Sequence, residues 1–317
     1  MHAYSLLAPA KINLYLEILG LRADGYHELA MILQSIDLAD QIDLRPISTQ
    51  TIQIHCDRPE VPQDKTNLAY RAAELMCEQF PERFAQFGGI EITITKQIPV
   101  AAGLAGGSTD GAAVLVGIDM MWQLGLTQPE LQDLAAKLGS DVPFCIAGGT
   151  AIATGRGEKL DPLPNLDSLY LVLGKYRSLE VSTAWAYQTY RSQFGHTYIQ
   201  DSVSLESRAH RVHSGSMVQA ILNQNGLQVG QRLYNDLEKV VLPSYPQVLE
   251  LREAFYNTGA LGTMMSGSGP TVFALCESEK QAQEIQQQVR NEIPDPDLEF
   301  WVSRFCNQGI QVISPVS

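Results

Sequence analysis

The sequence has 317 residues, 45% hydrophobic and 18% charged, with a formal net charge of −13. That balance excludes a disordered chain, and the lack of any dense basic run argues against a general nucleic-acid binder or a protein held on anionic membrane surfaces. The length exceeds what one hydrophobic core usually spans, so two domains are expected, and local lysines and backbone N–H groups could still hold a phosphorylated small molecule.

The N-terminus carries no signal-peptide core, and no apolar run approaches the ~20 residues that cross a bilayer. A cytoplasmic protein is expected. Cys56, Cys77, Cys145, Cys276 and Cys306 form no CxxC pair and no metal spacing, so they read as reduced, partly buried thiols.

Ile12, Leu14, Leu16 and Ile18 alternate with polar residues and predict a half-buried strand over 12–19, followed by an apolar stretch over 29–38. Ile52 and Ile54, then Ile90, Ile92 and Ile94, predict two further strands, with a helix over 67–80 between them. After Pro99 a loop opens an Ala/Val/Leu/Ile/Met helix reaching about residue 124. Thr127-Gln128-Pro129-Glu130 reads as a capping box with an early proline, starting a helix that stops at Gly139. Ser140-Asp141-Val142-Pro143 reads as a short turn into an apolar segment. The prolines of 161–165 suggest a turn and a domain boundary, dividing the chain into 1–162 and 163–317.

The second half is expected to run strand 169–173, helix 182–194, a mobile loop over 195–216, helices 231–241 and 245–258, strands near 263–265 and 271–276, helix 278–291 and strand 299–305. That order predicts an α+β sandwich, an antiparallel sheet with helices on one face.

The loop Pro99-Val100-Ala101-Ala102-Gly103-Leu104-Ala105-Gly106-Gly107-Ser108-Thr109 has the physical make-up of an anion cradle. Glycines allow positive φ and close approach of a phosphate, and a helix start presents unpaired N–H groups. Ser108 and Thr109 add hydroxyls for phosphate or Mg²⁺. A plain strand-to-helix turn would look similar. No Walker lysine follows, and the spacing is not G-x-G-x-x-G, so the loop is neither a P-loop nor a dinucleotide fingerprint.

Three further segments accompany it: Ala8-Pro9-Ala10-Lys11-Ile12-Asn13-Leu14, Gly20-Leu21-Arg22-Ala23-Asp24-Gly25-Tyr26-His27-Glu28-Leu29, and Met265-Ser266-Gly267-Ser268-Gly269-Pro270-Thr271. Together with the glycine loop they resemble the three motifs of the GHMP small-molecule kinases, over nearly the whole chain. The Pro-Ala-Lys-Ile-Asn and Arg-Ala-Asp-Gly-Tyr-His pair resembles the branch whose acceptor is a cytidine diphosphate-linked methylerythritol. The resemblance implies transfer of the γ-phosphoryl of ATP, with Mg²⁺, to the acceptor 2-hydroxyl, in the non-mevalonate route to isoprenoid precursors. It implies an α+β two-domain fold: an N-terminal α/β domain like domain 2 of ribosomal protein S5, with a left-handed βαβ crossover, and a ferredoxin-like C-terminal domain. The active site would lie in the cleft between them. The chain would act as a monomer or weak homodimer.

By this resemblance Lys11 and Asp141 match the catalytic lysine and aspartate. Read alone, Lys11 would be a surface lysine and Asp141 a cap or turn residue. A carboxylate can accept the proton of an attacking alcohol, and a lysine beside it can offset developing charge. The resemblance also implies that Tyr26 and Tyr187 sandwich the cytosine and that His27 hydrogen-bonds it. Tyr187 could equally be a helix residue packing on the domain interface. Asn13 either contacts the methylerythritol or orients Asp141, and Gly267, Ser268 and Gly269 close the cleft near the acceptor diphosphate, in a segment that can also be a hairpin turn. No residue is assigned as a direct metal ligand. Ala105 stands where many members carry glycine, which is tolerable where φ stays negative. Asp110, in the first helical turn, would repel phosphate or help hold Mg²⁺ through water. Other readings are another GHMP kinase, acting on homoserine or phosphomevalonate, and a non-catalytic nucleotide-binding protein on the same scaffold.

Overall fold

The computed structural model describes residues 2–166 and 168–316. In chain order the strands are β1 (Ala3–Leu21), β2 (His27–Ile47), β3 (Ile52–Cys56), β4 (Gly89–Thr95), β5 (Thr150–Gly155), β6 (Lys159–Leu163), β7 (Tyr170–Tyr176), β8 (Tyr234–Asn235), β9 (Gly262–Met265), β10 (Val272–Cys276), β11 (Leu298–Arg304) and β12 (Gln311–Val316). The first half carries helices α1 (Leu68–Gln79), α2 (Pro81–Phe87), α3 (Gly106–Trp122), α4 (Gln128–Leu138) and α5 (Val142–Ala147). The second carries α6 (Thr183–Phe194), α7 (Ser202–Arg211), α8 (Ser216–Leu222), α9 (Gly226–Gln231), α10 (Glu238–Ser244), α11 (Pro246–Tyr256) and α12 (Glu279–Glu292).

An eight-stranded sheet is built on the long β1–β2 hairpin. The first part of β2 pairs with β5 and its last part with β4, and between the two ladders, over residues 35–40, Ile36 makes an isolated antiparallel bridge to Phe305. β3 and β4 are parallel neighbours joined through α1 and α2. A register shift between Asn13 and Tyr15 divides β1. Ile12 and Leu14 belong to one apolar cluster, and Leu16 and Ile18 to another. The four residues expected on a single face are all buried, but the bulge redirects the second pair.

The second sheet has the order β11-β7-β10-β9, with antiparallel pairing throughout. Taking β7, β9, β10 and β11 in chain order, this is the 4-1-3-2 arrangement of a ferredoxin-like sheet. β7 is buried on both faces. Val172 joins Val248, Leu251, Phe255, Ala282, Ile285 and Val289 of α11 and α12, whereas Leu171 and Leu173 join Ile12, Leu14 and Ile32 of the large sheet. This shared core fixes one sheet against the other. α3, expected as an apolar helix, is buried nearly all round, from Ala112 through Trp122.

Several expectations are corrected. Residues 195–216 are mostly helical, with α7 flanked by two short 3-10 turns. Ile199 donates its N–H to the Leu19 carbonyl, and Arg208 pairs with Glu17 at 2.6 Å. The segment is held by contacts to β1 that a local pattern cannot express. The helix expected over 231–241 is interrupted, because Tyr234–Asn235 pairs with β1 at Tyr15 and Leu16. The turn expected at 161–165 begins as β6, which among the described residues pairs with β5 alone. Proline is admissible on such an edge. Val142–Ala147, expected as an apolar segment after a turn, is the helix α5.

Candidate active site

A cavity of about 790 Å³ opens where the β1–β2 hairpin, the loop before α3, the start of α5, α6 and the β9–β10 turn converge. Its size suits a small-molecule site. Lys11 is placed by β1. Its backbone N–H donates to the Leu104 carbonyl at 3.1 Å, which ties the strand to the glycine loop. The residue is 5% exposed, and its ammonium donates to Asn13 Oδ1 at 2.8 Å and stands 3.7 Å from Asp141 Oδ2. Asp141 precedes Val142-Pro143 at the N-terminus of α5, where an acid is favoured by the helix dipole, and its side chain is one-third exposed. A buried cation beside an accessible carboxylate is an arrangement for proton acceptance with charge compensation.

The glycine loop meets the β9–β10 turn. Gly103 has φ 73, and a Cβ there would lie 2.3 Å from the Ser266 carbonyl oxygen. A Cβ on Gly267 would reach the Gly103 oxygen at 3.2 Å, Asn13 Oδ1 at 3.3 Å and Lys11 Nζ at 3.7 Å. Only backbone fits between these groups. The turn is held by Asn235, whose Nδ2 donates to the carbonyls of Met265 and Gly267, and by Ser268, whose hydroxyl pairs with Thr183 at 2.8 Å. The hairpin turn and the cavity wall are thus one structure.

Ala105 departs from expectation. It is the N-cap of α3 at φ 59, in the left-handed region. Alanine is strained there, and glycine would not be. Asp110 also has a role the sequence did not suggest. It is buried, and its Oδ2 accepts from Lys96 Nζ at 2.9 Å. Lys96 donates as well to Asp40, which is fully buried. Burial pushes Asp110 well above the usual carboxylate range, Lys96 opposes this, and Asp40 adds to it. Burial works against the charge of Lys96, but Asp110 and Asp40 outweigh it and raise its pKa.

Each tyrosine expected to sandwich a base already carries another flat group. Tyr187 stacks on His27 with ring centroids 5.1 Å apart, and Tyr26, 54% exposed, lies under the Arg156 guanidinium at 4.9 Å. Tyr187 also packs against the apolar cluster of α10 and α11, so it faces both the cavity and the interior. His27 has a buried Nε2 with no hydrogen-bond partner among the described residues. Its pKa is lowered by burial and, secondarily, by Arg191.

Of the residues singled out, Lys11, Asn13, Tyr26, His27, Asp141, Tyr187, Gly267 and Ser268 line the cavity, as do Pro99–Gly103 and Ala105–Gly107. Leu104, Ser108, Thr109 and Gly269 do not. Leu104 serves through its carbonyl, Thr109 is fully buried, and Gly269 turns the chain at φ 77. The sequence reading missed the wall beyond the loop, formed by Val61, Pro62, Asn67, Leu68 and Lys96. The sequence placed Asn67 only at the start of the helix over 67–80, and in the structure its side chain is consumed as the N-cap of α1. It accepts from Ala69 N–H and donates to the Pro62 carbonyl. Among the described residues no group of three or more His, Cys, Asp or Glu side chains is placed to hold a metal ion.

The models of the GHMP kinases N terminal domain and the GHMP kinases C terminal domain match residues 67–149 and 214–295. The chain is 69% identical over 317 residues to 4-diphosphocytidyl-2-C-methyl-D-erythritol kinase of Nostoc punctiforme, covering 100% of both chains. It is 66% identical to the enzyme of that name from Trichormus variabilis, over 99% of both chains. Among solved structures it resembles a 4-(cytidine 5'-diphospho)-2C-methyl-D-erythritol kinase, with TM-score 0.71 and 31% identity over 95% of this chain and 98% of that one. A homoserine kinase from Cytophaga hutchinsonii shares the fold, with TM-score 0.74 at 22% identity over 99% and 98% of the two chains.

Proposed function

The chain belongs to the GHMP kinases, within their 4-diphosphocytidyl-2-C-methyl-D-erythritol kinase family, and from that premise we propose that it phosphorylates the 2-hydroxyl of 4-diphosphocytidyl-2-C-methyl-D-erythritol with ATP. The observation that carries the catalytic part is the meeting of Lys11 and Asp141 at 3.7 Å on the wall that the glycine loop shares.

ATP would supply the phosphoryl group, and Mg²⁺ would offset the charge of the phosphates. The cradle fits such a group: Gly103, Gly106 and Gly107 present backbone at the start of α3, where N–H groups are unpaired and a partial positive charge resides. Asp141 accepts the proton of the acceptor hydroxyl as its oxygen attacks. Lys11, oriented by Asn13, offsets the charge that builds on that oxygen and on the transferred group. Phosphoryl transfer asks the protein mainly for positioning and charge neutralisation. The cytosine lies against Tyr187 with Tyr26 across from it, and the unpartnered His27 Nε2 bonds its polar edge. Gly267 and Ser268 receive the acceptor diphosphate.

We divide the chain into an N-terminal domain over 1–162 and a C-terminal domain over 163–317, with β8 and β12 returning to the first sheet. No helix among the described residues is long and apolar enough to cross a membrane. We place the enzyme in the cytoplasm as a monomer or weak homodimer. ADP release by the full chain with ATP, Mg²⁺ and the cytidyl acceptor tests the reading. Turnover with homoserine or a mevalonate phosphate, and none with the cytidyl acceptor, rejects it.

A further inference from the structure

A buried ion cluster beneath the glycine loop has no part in the chemistry of Lys11 and Asp141. Lys96 follows the last residue of β4 and turns inward, its side chain 4% exposed. Its ammonium binds two carboxylates that come from distant parts of the chain. Asp40 lies in the stretch of β2 between the β5 and β4 ladders, and Asp110 lies in the first turns of α3. The second oxygen of Asp40 accepts the backbone N–H of Gln97 at 2.6 Å and of Ile98 at 2.9 Å. The second oxygen of Asp110 is buried and has no hydrogen-bond partner among the described residues.

Burying three ionisable groups together is expensive unless their hydrogen bonds are nearly all made. Here those bonds go to the two ends of one loop. Asp40 fixes the residues that lead into Pro99, and Asp110 is part of the helix into which the loop runs. Lys96 joins the two. The cluster also lies close to the phosphate cradle. A Cβ built on Gly106, the first residue of α3, would stand 3.2 Å from Lys96 Nζ, and Lys96, Gly106 and Asp110 share the cavity wall. The ammonium therefore stands at the helix end where backbone N–H groups already favour an anion.

We propose that Lys96, clamped by Asp40 and Asp110, is a nucleotide-positioning residue: it fixes both ends of the glycine loop and offsets the charge of the two carboxylates beside the N-terminus of α3, so that it sets the affinity for ATP and leaves the transfer step to Lys11 and Asp141. The inference rests on Pro99–Ser108 being the ATP loop.

The test is calorimetric titration of the full chain with the Mg²⁺ complex of a non-hydrolysable ATP analogue, beside steady-state kinetics. Lys96→Met raises the analogue Kd and the KM for ATP about tenfold or more, while kcat and the KM for the acceptor stay within about threefold. Lys96→Arg, which keeps the charge, recovers most of the affinity. Lys96→Gln keeps hydrogen-bonding capacity without charge and raises Kd about fivefold or more, which separates charge from clamp. A folded Lys96→Met or Lys96→Gln with Kd within about twofold of the parent overturns the proposal, as does a loss confined to kcat. If Lys96→Met does not fold, Lys96→Gln and Lys96→Arg decide between the same outcomes. Analogue binding requires no acceptor. A parent chain that binds the analogue but does not turn over the cytidyl acceptor therefore refutes the acceptor assignment and leaves this test standing. A parent chain that does not bind the analogue overturns the positioning role with the loop reading.

Discussion

The ammonium of Lys11 stands 3.7 Å from the Asp141 carboxylate, although one residue belongs to the first strand and the other to the start of a short helix. Lys11 is buried and Asp141 faces the cavity, so the carboxylate is the group an acceptor meets first. Asp141→Asn keeps the shape and removes the proton acceptor. It lowers kcat by about 10²–10⁴-fold with little change in KM for ATP. Lys11→Ala lowers kcat as well, because the charge on the attacking oxygen is no longer offset. Coupled measurement of ADP release reads both. Turnover within threefold of the parent for either variant would remove that residue from the catalytic assignment.

Gly103 and Ala105 lie two residues apart, both at positive φ, and invite opposite substitutions. Ala105→Gly relieves left-handed strain, partly offset by the greater freedom of glycine in the unfolded chain, and raises stability by about 0.5–1 kcal/mol. Gly103→Ala drives a methyl group to within 2.3 Å of the Ser266 carbonyl, so the glycine loop and the β9–β10 turn must part. It lowers stability by about 1–3 kcal/mol and raises KM for ATP. Thermal melts with ATP titrations read both. A stabilised Gly103→Ala would mean that the two loops do not pack as described.

Much of this architecture was legible where the local signal is self-contained. The helix over 67–80 is α1 with its caps at Asn67 and Phe80, and the capping box at Thr127 and Glu130 forms as read. The clustered motifs likewise located the loop, the lysine, the aspartate and the β9–β10 turn on one cavity wall. What escaped depends on distant partners. α7 is a polar helix kept in place by the Arg208–Glu17 pair and by Leu205 beside Gly20. Tyr234–Asn235 leaves a helical pattern to pair with β1 and to hold the 265–267 carbonyls. Asp40 and Lys96 belong to no motif, and their meaning appears only when strand pairing brings them to Asp110.

His27 stacks on Tyr187, and burial holds its pKa below the ordinary histidine value, so near neutral pH the ring is uncharged with a free Nε2. His27→Phe preserves the stack and removes the ring nitrogens. The KM for the cytidyl acceptor rises about tenfold, while kcat and KM for ATP change little. Because the folded-state pKa is depressed, acidification charges the ring at the expense of the fold. The contribution of this group to stability is present above the unfolded pKa and is lost as pH falls through the folded one. An acceptor KM unmoved by His27→Phe would take the histidine out of substrate recognition.

Asp110 gives the opposite pH dependence. Burial raises its pKa, with Lys96 pulling it back and Asp40 pushing it further up. The folded chain therefore binds a proton that the unfolded chain has already released, and the stability linked to this group is complete below the unfolded carboxylate pKa and is lost as pH rises through the folded one. Asp110→Asn mimics the protonated form at every pH. Thermal melts of parent and variant between about pH 5 and 9 should diverge toward the alkaline end, the parent losing stability there and the variant less. The ion pair with Lys96 works against this slope, since a fully charged Asp110 would gain from the ammonium 2.9 Å away. Burial is the larger influence and outweighs the ammonium, and Asp40, which already claims the same ammonium, adds to the rise. Parallel pH profiles for the two proteins would mean that the Lys96 charge suffices for both carboxylates and that Asp110 stays ionised in the fold.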